Sequence, residues 1–410
     1  MTPPLAPAGL AIGGIPLEFV LFGCTLLGVA LLHHRSLEVA LAGLAAILAY
    51  KLAVTGIHGL PGLPGLVRHL RDEWVVLANL LGLLTGFALL TRHFDESGVP
   101  RRLPDFLPDD WRGGLTLLLI VFVLSSFLDN IAAALIGGTV ARTVYRDRVH
   151  VGYVAALVAA SNAGGSGSVV GDTTTTMMWI DGVAPVDVLH AYVAAAAALA
   201  VFGIPASLQQ QRYAPIVWHA GDRARIDLAR IAIVTFVLLA AIAVNVVSNL
   251  RYPALAERLP VLGATVWAAL AVAAPLRRPD WTVMPATLRG SIFLLSLVMC
   301  ASLMPVEQLP PPSWTTTLAL GFVSAVFDNI PLTKLALEQG GYDWGMLAYA
   351  VGFGGSMIWF GSSAGVAITS LFPEGRSVGA WLRAGWHVAL AYVVGFVALL
   401  LTLGWRPHGP

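Results

Sequence analysis

The sequence predicts an all-α polytopic membrane protein built as two inverted repeats of five spans each, each repeat with a re-entrant hairpin and a broken helix. Three observations predict it. Of 410 residues, 57% are hydrophobic and 11% charged, against roughly 25% charged in a soluble domain. Apolar runs of about twenty residues, enough to cross a ~30 Å hydrocarbon core, recur from Ile15 to Trp405. One motif is also written twice inside apolar sequence, as Leu124-Ser125-Ser126-Phe127-Leu128-Asp129-Asn130-Ile131 and as Val323-Ser324-Ala325-Val326-Phe327-Asp328-Asn329-Ile330. A carboxylate at bilayer depth costs about 2.5–3.5 kcal/mol on insertion scales, so its return at the same point of both halves marks a functional position.

Ordinary spans read at Ile15–His33, Ser36–Val54, Trp74–Arg92 and Val186–Ala206 in the first half, and at Leu228–Leu250, Val261–Leu276, Gly290–Pro305 and Ala384–Leu403 in the second. Gly113–Tyr145 and Trp314–Gly340 are too long for one span, and each is interrupted at its Asp-Asn pair, which predicts two half-length helices meeting there. Val151–Gly182 and Met346–Pro373 carry Gly/Ser/Thr-rich centres, which predict crossing helices unwound in the middle. Unwound backbone at that depth is tolerated only where protein buries it or it lines a wet cavity. The domains are therefore residues 1–206, a cytoplasmic linker at 207–227 rich in Gln, Arg and Asp, and residues 228–410. Five crossings per copy is an odd number, so the second copy is inverted relative to the first.

Charge tests the layout independently. With Met1 outside, the loops assigned to the cytoplasm collect 17 of the 24 Lys/Arg residues, and the outside receives Lys51, Arg68, Arg71, Arg251, Arg258 and Arg406. That asymmetry is the product of positive-inside sorting. It places an integral protein in the plasma (inner) membrane with both termini outside. The arginines form no basic stripe and net charge is +1, which excludes nucleic acid as a partner and leaves the lipid bilayer. Cys24 and Cys300 lie in apolar spans without metal or disulfide spacing and read as buried thiols. The N-terminal MTPPLAPAG lacks a basic signal region, so the first apolar run reads as a retained span.

The second repeated motif runs from Ser161 to Thr176, with Asn162, a Gly164-Gly165 pair and Gly171-Asp172-Thr173-Thr174. It returns in Gly352–Gly365, with Gly354-Gly355 and Gly361-Ser362-Ser363. An offset of 190 places Asp172 opposite Ser362. Glycines let the chain break without steric cost, and hydroxyls, freed carbonyls and half-helix dipoles supply the hard ligands of a dehydrated cation. The pattern makes Asp129, Asp172 and Asp328 the carboxylates of a transported alkali-cation or proton site, with Asn130, Asn329, Asn162, Thr173, Thr174, Ser362 and Ser363 as neutral ligands. Asp and Asn at these points are also good N-caps for the half-helices that follow, a role compatible with coordination. Lys334, six residues past Asp328, either neutralises a buried carboxylate or snorkels to the surface. His190 and His387, each near the start of a repeat's last span, are candidate proton relays. The tryptophans Trp359, Trp381, Trp386 and Trp405 read as anchors or packing.

The stretches SSFLDNIAAALIGG, SNAGGSGSVVGDTTTTMMW and DNIPLTKLALEQGGYDWGMLAYAVGFGGSMIWFGSSAGVA resemble the ion-transporter superfamily, which includes NhaD-type sodium/proton antiporters, arsenite efflux pumps and citrate or dicarboxylate carriers. The NhaD-type pattern is the nearest, over roughly a hundred residues. The resemblance implies an elevator-like or rocking carrier, often a homodimer, with hairpin tips and unwound helices forming the site. It carries ion-site roles onto Asp129, Asn130, Asn162, Asp172, Thr173, Asp328 and Asn329. Two departures stand out. Lys334 occupies a place expected to be neutral, and Ser161-Asn162 is followed by Ala163 where dicarboxylate carriers have a Ser-Asn-Thr signature.

Cation/proton antiport is therefore the first expectation, with sodium or lithium exchanged for protons and no cofactor or enzymatic activity. Sodium- or proton-coupled uptake of citrate, a dicarboxylate or another small anion is the second. Intramembrane aspartyl proteolysis fails on its Gly-x-Gly-Asp signature, because Val169 stands at the first glycine. A passive channel is separated from a carrier by saturable, coupled flux.

Overall fold

The computed structural model describes residues 10–57, 60, 62–217, 225–256 and 258–407; residues 1–9 and residues 218–224 of the expected linker lie outside this set. After a short strand pair (Ala11–Ile12 with Ile15–Pro16), the described residues form nineteen α-helices. The first half holds α1 (Leu17–Leu31), α2 (Ser36–Tyr50), α3 (Leu63–Glu96), α4 (Trp111–Ser125), α5 (Asn130–Val144), α6 (Val151–Ser166), α7 (Thr173–Ile180), α8 (Pro185–Leu189) and α9 (Ala191–Tyr213). The second holds α10 (Leu228–Arg251), α11 (Pro253–Ala256), α12 (Val261–Ala273), α13 (Met284–Ser302), α14 (Trp314–Ser324), α15 (Asn329–Gln339), α16 (Trp344–Gly354), α17 (Ser363–Leu371), α18 (Val378–Ala384) and α19 (Trp386–Leu403).

Both Asp-Asn pairs fall where a helix stops and another starts, and both Gly-rich centres interrupt a helix, after Ser166 and after Gly354. The new helices begin on side-chain caps. Asp129 accepts from Ile131 N at 2.9 Å, Asp328 from Ile330 N at 3.0 Å, Asp172 from Thr174 N at 2.9 Å and Ser362 from Gly365 N at 3.3 Å. In a membrane no water is at hand for the first N–H groups of a helix, so a cap within the chain is what allows a helix to restart in the interior.

The helices sort into two packing groups. One contains α1, α2, α3, α10, α12 and α13; the other contains α4, α5, α6, α9, α14, α16, α17 and α19. Between them, α15 packs on α13, and α7 packs on α3 and α15. Every residue of α16, and every residue of α6 after Val151, is buried. Helices that are apolar all round belong at the centre of a bundle, and these two are the first halves of the broken helices.

Several bounds differ from the sequence reading. Six helical segments among the described residues are long and apolar enough to cross a membrane, namely Ser36–Thr55, Leu63–Glu96, Pro185–Tyr213, Leu228–Ser248, Trp281–Ser302 and Trp386–Leu403. The expected spans Ile15–His33 and Val261–Leu276 contain only α1 and α12, of 15 and 13 residues, or about 22 and 20 Å at 1.5 Å per residue. The β-hairpin takes up the start of the first, and Pro260 stands just before the second. Conversely, α3 begins at Leu63 and not near Trp74, so Arg68, Arg71, Asp72 and Glu73 ride on the helix and not in a loop. Cys300 is buried as expected, but Cys24 is exposed. Hydropathy cannot tell a helix face turned to the core from one turned to lipid.

At one end of the first group, Arg92 bonds Asp280 at 2.8 Å and Glu96 at 3.1 Å, Arg230 bonds Glu96 at 2.7 Å, and Arg277 bonds Asp227 at 2.7 Å. The charge reading had assigned all three arginines to the same face, and the fold brings them together.

Candidate functional site

The two breaks face each other. Asn130, the first residue of α5, donates from Nδ2 to Asn162 Oδ1 at 3.1 Å and to Asp172 Oδ2 at 3.0 Å. Asn162, in α6, donates from Nδ2 across to the second repeat, to Ser356 Oγ at 2.9 Å and Ser362 Oγ at 3.0 Å. Thr174 closes the network, giving both its N–H and its hydroxyl to Asp172 Oδ1, at 2.9 and 3.0 Å. One hydrogen-bonded chain thus runs from the carboxylate of the first break to the hydroxyls of the second. Asn162, Ser356 and Thr174 are fully buried, and Asp172 is 3% exposed.

Serine side chains bonded to backbone carbonyls hold the breaks to the turns that end α4 and α14. Ser126 Oγ donates to Gly164 O at 3.2 Å, Ser168 Oγ to Ser126 O at 2.6 Å, and Ser324 Oγ to Val351 O at 2.7 Å. Side chains at Gly171 and Gly361 would collide with the carbonyls of Ser125 and Ala325 respectively. A Cβ at Gly165 would meet Asp172 Cβ at 3.0 Å, and one at Gly355 would meet Ser362 Cβ at 3.0 Å. The glycines involved correspond at an offset of 190 residues, and the carbonyls they meet, Ser125 and Ala325, at one of 200.

Four helices, α5, α7, α15 and α17, start at the centre, and four, α4, α6, α14 and α16, end there. Three of the four starts carry the chain's own Asp side chains at their caps. The partial positive charge of those N-termini is therefore already matched by carboxylates, while the helix ends turn carbonyls toward the same region.

Asp328, Ser362 and Ser363 line a cavity of about 210 Å³ shared with Leu26, Val29 and Ser36 of α1 and α2, and no basic side chain lines it. The site thus has an approach from the side of the α1–α2 connection. Of the other expected residues, Asn329 is buried and half-buried Thr173 opens α7. Asp129 and Asp328 are half-buried and within electrostatic reach of Asp172. Among the described residues no group of three or more His, Cys, Asp or Glu side chains is arranged to hold a metal ion. Each of the three aspartates accepts from an N–H group of its own helix.

The histidines lie apart from the network. His387 Nε2 meets Gln209 Oε1 at 3.3 Å between α19 and α9, and His190 sits beside Gly345. Lys334 is buried and does not bond Asp328. Its Nζ lies 3.0 Å from Glu73 Oε2 and 2.6 Å from Glu338 Oε1, which removes the snorkelling alternative. Glu73 and Ser356 were missed by the sequence reading. The helical spacing of Lys334 and Glu338 could have pointed to that pair, but nothing local announces Glu73, 261 residues away. Trp381, read as packing, donates to the Ser356 carbonyl at 3.2 Å and props the second break. Ser356→Ala is expected to cost about 1 kcal/mol of thermal stability; an unchanged melting curve in detergent would mean that Ser362 alone satisfies Asn162.

Comparison with known proteins agrees with the motif resemblance. The citrate transporter family (CitMHS) matches residues 10–354. Sodium/proton antiporter 1 of Arabidopsis thaliana is 27% identical over 331 residues, 67% of this chain and 55% of the relative. The Na(+)/H(+) antiporters NhaD of Alkalimonas amylolytica and Vibrio parahaemolyticus are 28% and 26% identical, covering 60% and 61% of this chain and 60% and 71% of the relatives. The chain thus spans little more than half the length of the first two relatives.

Proposed function

Because this chain belongs to the citrate transporter family, we propose that it is a secondary active transporter exchanging sodium or lithium for protons. One observation carries this reading. The buried network joining the two breaks is made of a carboxylate, amides and hydroxyls with no basic side chain, and the one Lys or Arg buried among the described residues, Lys334, is engaged by Glu73 and Glu338. Such a site takes a small cation or a proton, and either occupant neutralises Asp172 for passage through a low-dielectric interior.

The rest of the proposal draws on the repeated order of elements, the Lys/Arg asymmetry and the family resemblance. The α4–α5 and α14–α15 pairs are re-entrant hairpins, the two halves are inverted repeats, both termini lie outside, and the protein works in the plasma membrane as a homodimer. Asp129 and Asp328 share the site with Asp172 by charge and not by joint coordination, and Asn130, Asn162, Thr173, Thr174, Asn329, Ser362 and Ser363 form its neutral lining.

The family's description favours citrate or another small anion as a second reading, with bound sodium supplying positive charge. An anion site at helix breaks would use free helix N-termini, and three of the four here are occupied by aspartates. Proton movement across proteoliposomes holding an acid-inside gradient separates the two. Addition of sodium or lithium outside is expected to collapse the gradient and potassium to do so less; silence to all cations, with sodium-dependent citrate uptake, would overturn the antiport reading.

A further inference from the structure

Lys334 does not belong to the central network, yet it is the buried basic side chain of the second hairpin and it bridges two helices. Its ammonium sits between Glu73 of α3, in the first packing group, and Glu338, one turn along its own α15. Asp181, at the end of α7, is within electrostatic reach of all three. Below the ion pair, Leu80 of α3, Met177 of α7, Val298 of α13 and Ile330 of α15 pack into a buried apolar cluster. On the opposite approach, Asp328 lines the 210 Å³ cavity against α1 and α2. The site is thus open along one approach and covered along the other by an apolar plug with an ion pair over it.

We propose that Lys334–Glu73 is a latch on the outer entrance, joining α15 to α3 when the site faces the cytoplasm and breaking when it faces out; this rests on the membrane orientation and carrier reading above. The pair is built to break. Removing both partners from a buried ammonium would leave a bare charge, which is strongly unfavourable. Glu338 travels on the same helix as Lys334, so separation of α15 from α3 leaves the ammonium one carboxylate, and Glu73, with 12% of its side chain exposed, has water to turn to.

The latch also has no counterpart in the first repeat. Six residues after Asp328 stands Lys334; six residues after Asp129 stands Leu135. When the halves exchange conformations, the inner entrance closes without a lysine at the equivalent position. The charge pair therefore biases the carrier toward the inward-facing state, and a site reached from outside carries that population penalty.

The test uses the full-length protein with Cys24→Ala, Cys300→Ala and the reporter Leu80→Cys, in oriented vesicles. A membrane-impermeant maleimide is added from outside, and sodium-driven proton movement is recorded on the same vesicles. With Glu73 and Lys334 intact, Cys labelling at position 80 is expected to be slow. Lys334→Met or Glu73→Gln should speed it about tenfold or more, and the reversed pair Glu73→Lys with Lys334→Glu should restore slow labelling. Glu73→Gln leaves Lys334 paired with Glu338, so it carries the test if Lys334→Met does not fold. Labelling indifferent to these changes, or entering from the cytoplasmic face, overturns the latch. Labelling that responds as expected while sodium moves no protons supports the latch and removes the antiport reading; sodium-driven flux with indifferent labelling does the reverse.

Discussion

Asp172→Asn is expected to abolish sodium-driven proton movement, lowering exchange by about a hundredfold or more, equivalent to about 2.7 kcal/mol, while the protein still folds and inserts. The substitution keeps shape and removes charge. Asp172 uses Oδ1 to cap α7 through Thr174 and Oδ2 to accept from Asn130. An asparagine can offer its single carbonyl to one of these partners, so its amide nitrogen faces the N–H groups of the other. That mismatch costs about 1–3 kcal/mol, enough to lower the melting temperature without unfolding the chain. The cation and the proton, by contrast, compete for a charge that no longer exists. Transport in proteoliposomes and thermal melts in detergent read the two effects separately. Exchange retained in the variant would take Asp172 out of the ion path and leave it as a cap.

The breaks were legible in the sequence because they are local. Asp129-Asn130 and Asp328-Asn329 interrupt apolar runs, and the Gly-Gly pairs with a later glycine recur at one offset, so the points where helices stop could be placed within a few residues. The partners were not legible in the same way. Asn162 binding Ser356 and Ser362 joins positions 194 and 200 residues apart, and a long-range hydrogen bond leaves no periodic trace. Ser356, directly after the second Gly-Gly pair, was not singled out and is a hydroxyl of the network. Each of the three aspartates also caps its own helix, as the sequence allowed. Helix α3 was cut short because its charged first turns read as loop, although Leu63–Glu96 is continuous and those turns deliver Glu73 to Lys334. Charge at the end of a span marks the membrane surface and not the end of the helix.

Gly171→Val and Gly361→Val are each expected to cost about 3 kcal/mol or more of stability, at or beyond the usual range for overpacking a core. Both glycines sit at the exits of the broken segments, directly against the carbonyls of Ser125 and Ala325 at the hairpin turns. Neither has a left-handed backbone angle, so the demand for glycine here is one of space. A side chain would meet backbone, which cannot swing away as a flexible side chain could. Relief requires the hairpin to move off the broken helix, and that movement pulls the Asn130–Asp172 bond in the first repeat or shifts Ser362 from Asn162 in the second. Gly290 is the internal control. It lies in α13 with nothing within 4 Å of a built Cβ, so Gly290→Ala should be neutral or stabilise by up to about 1 kcal/mol through helix propensity. Thermal unfolding in detergent, followed by monodisperse elution, distinguishes these cases. Comparable melting temperatures for Gly171→Val, Gly361→Val and Gly290→Ala would mean that the hairpin turns and the breaks are not packed as rigidly as the network across them requires.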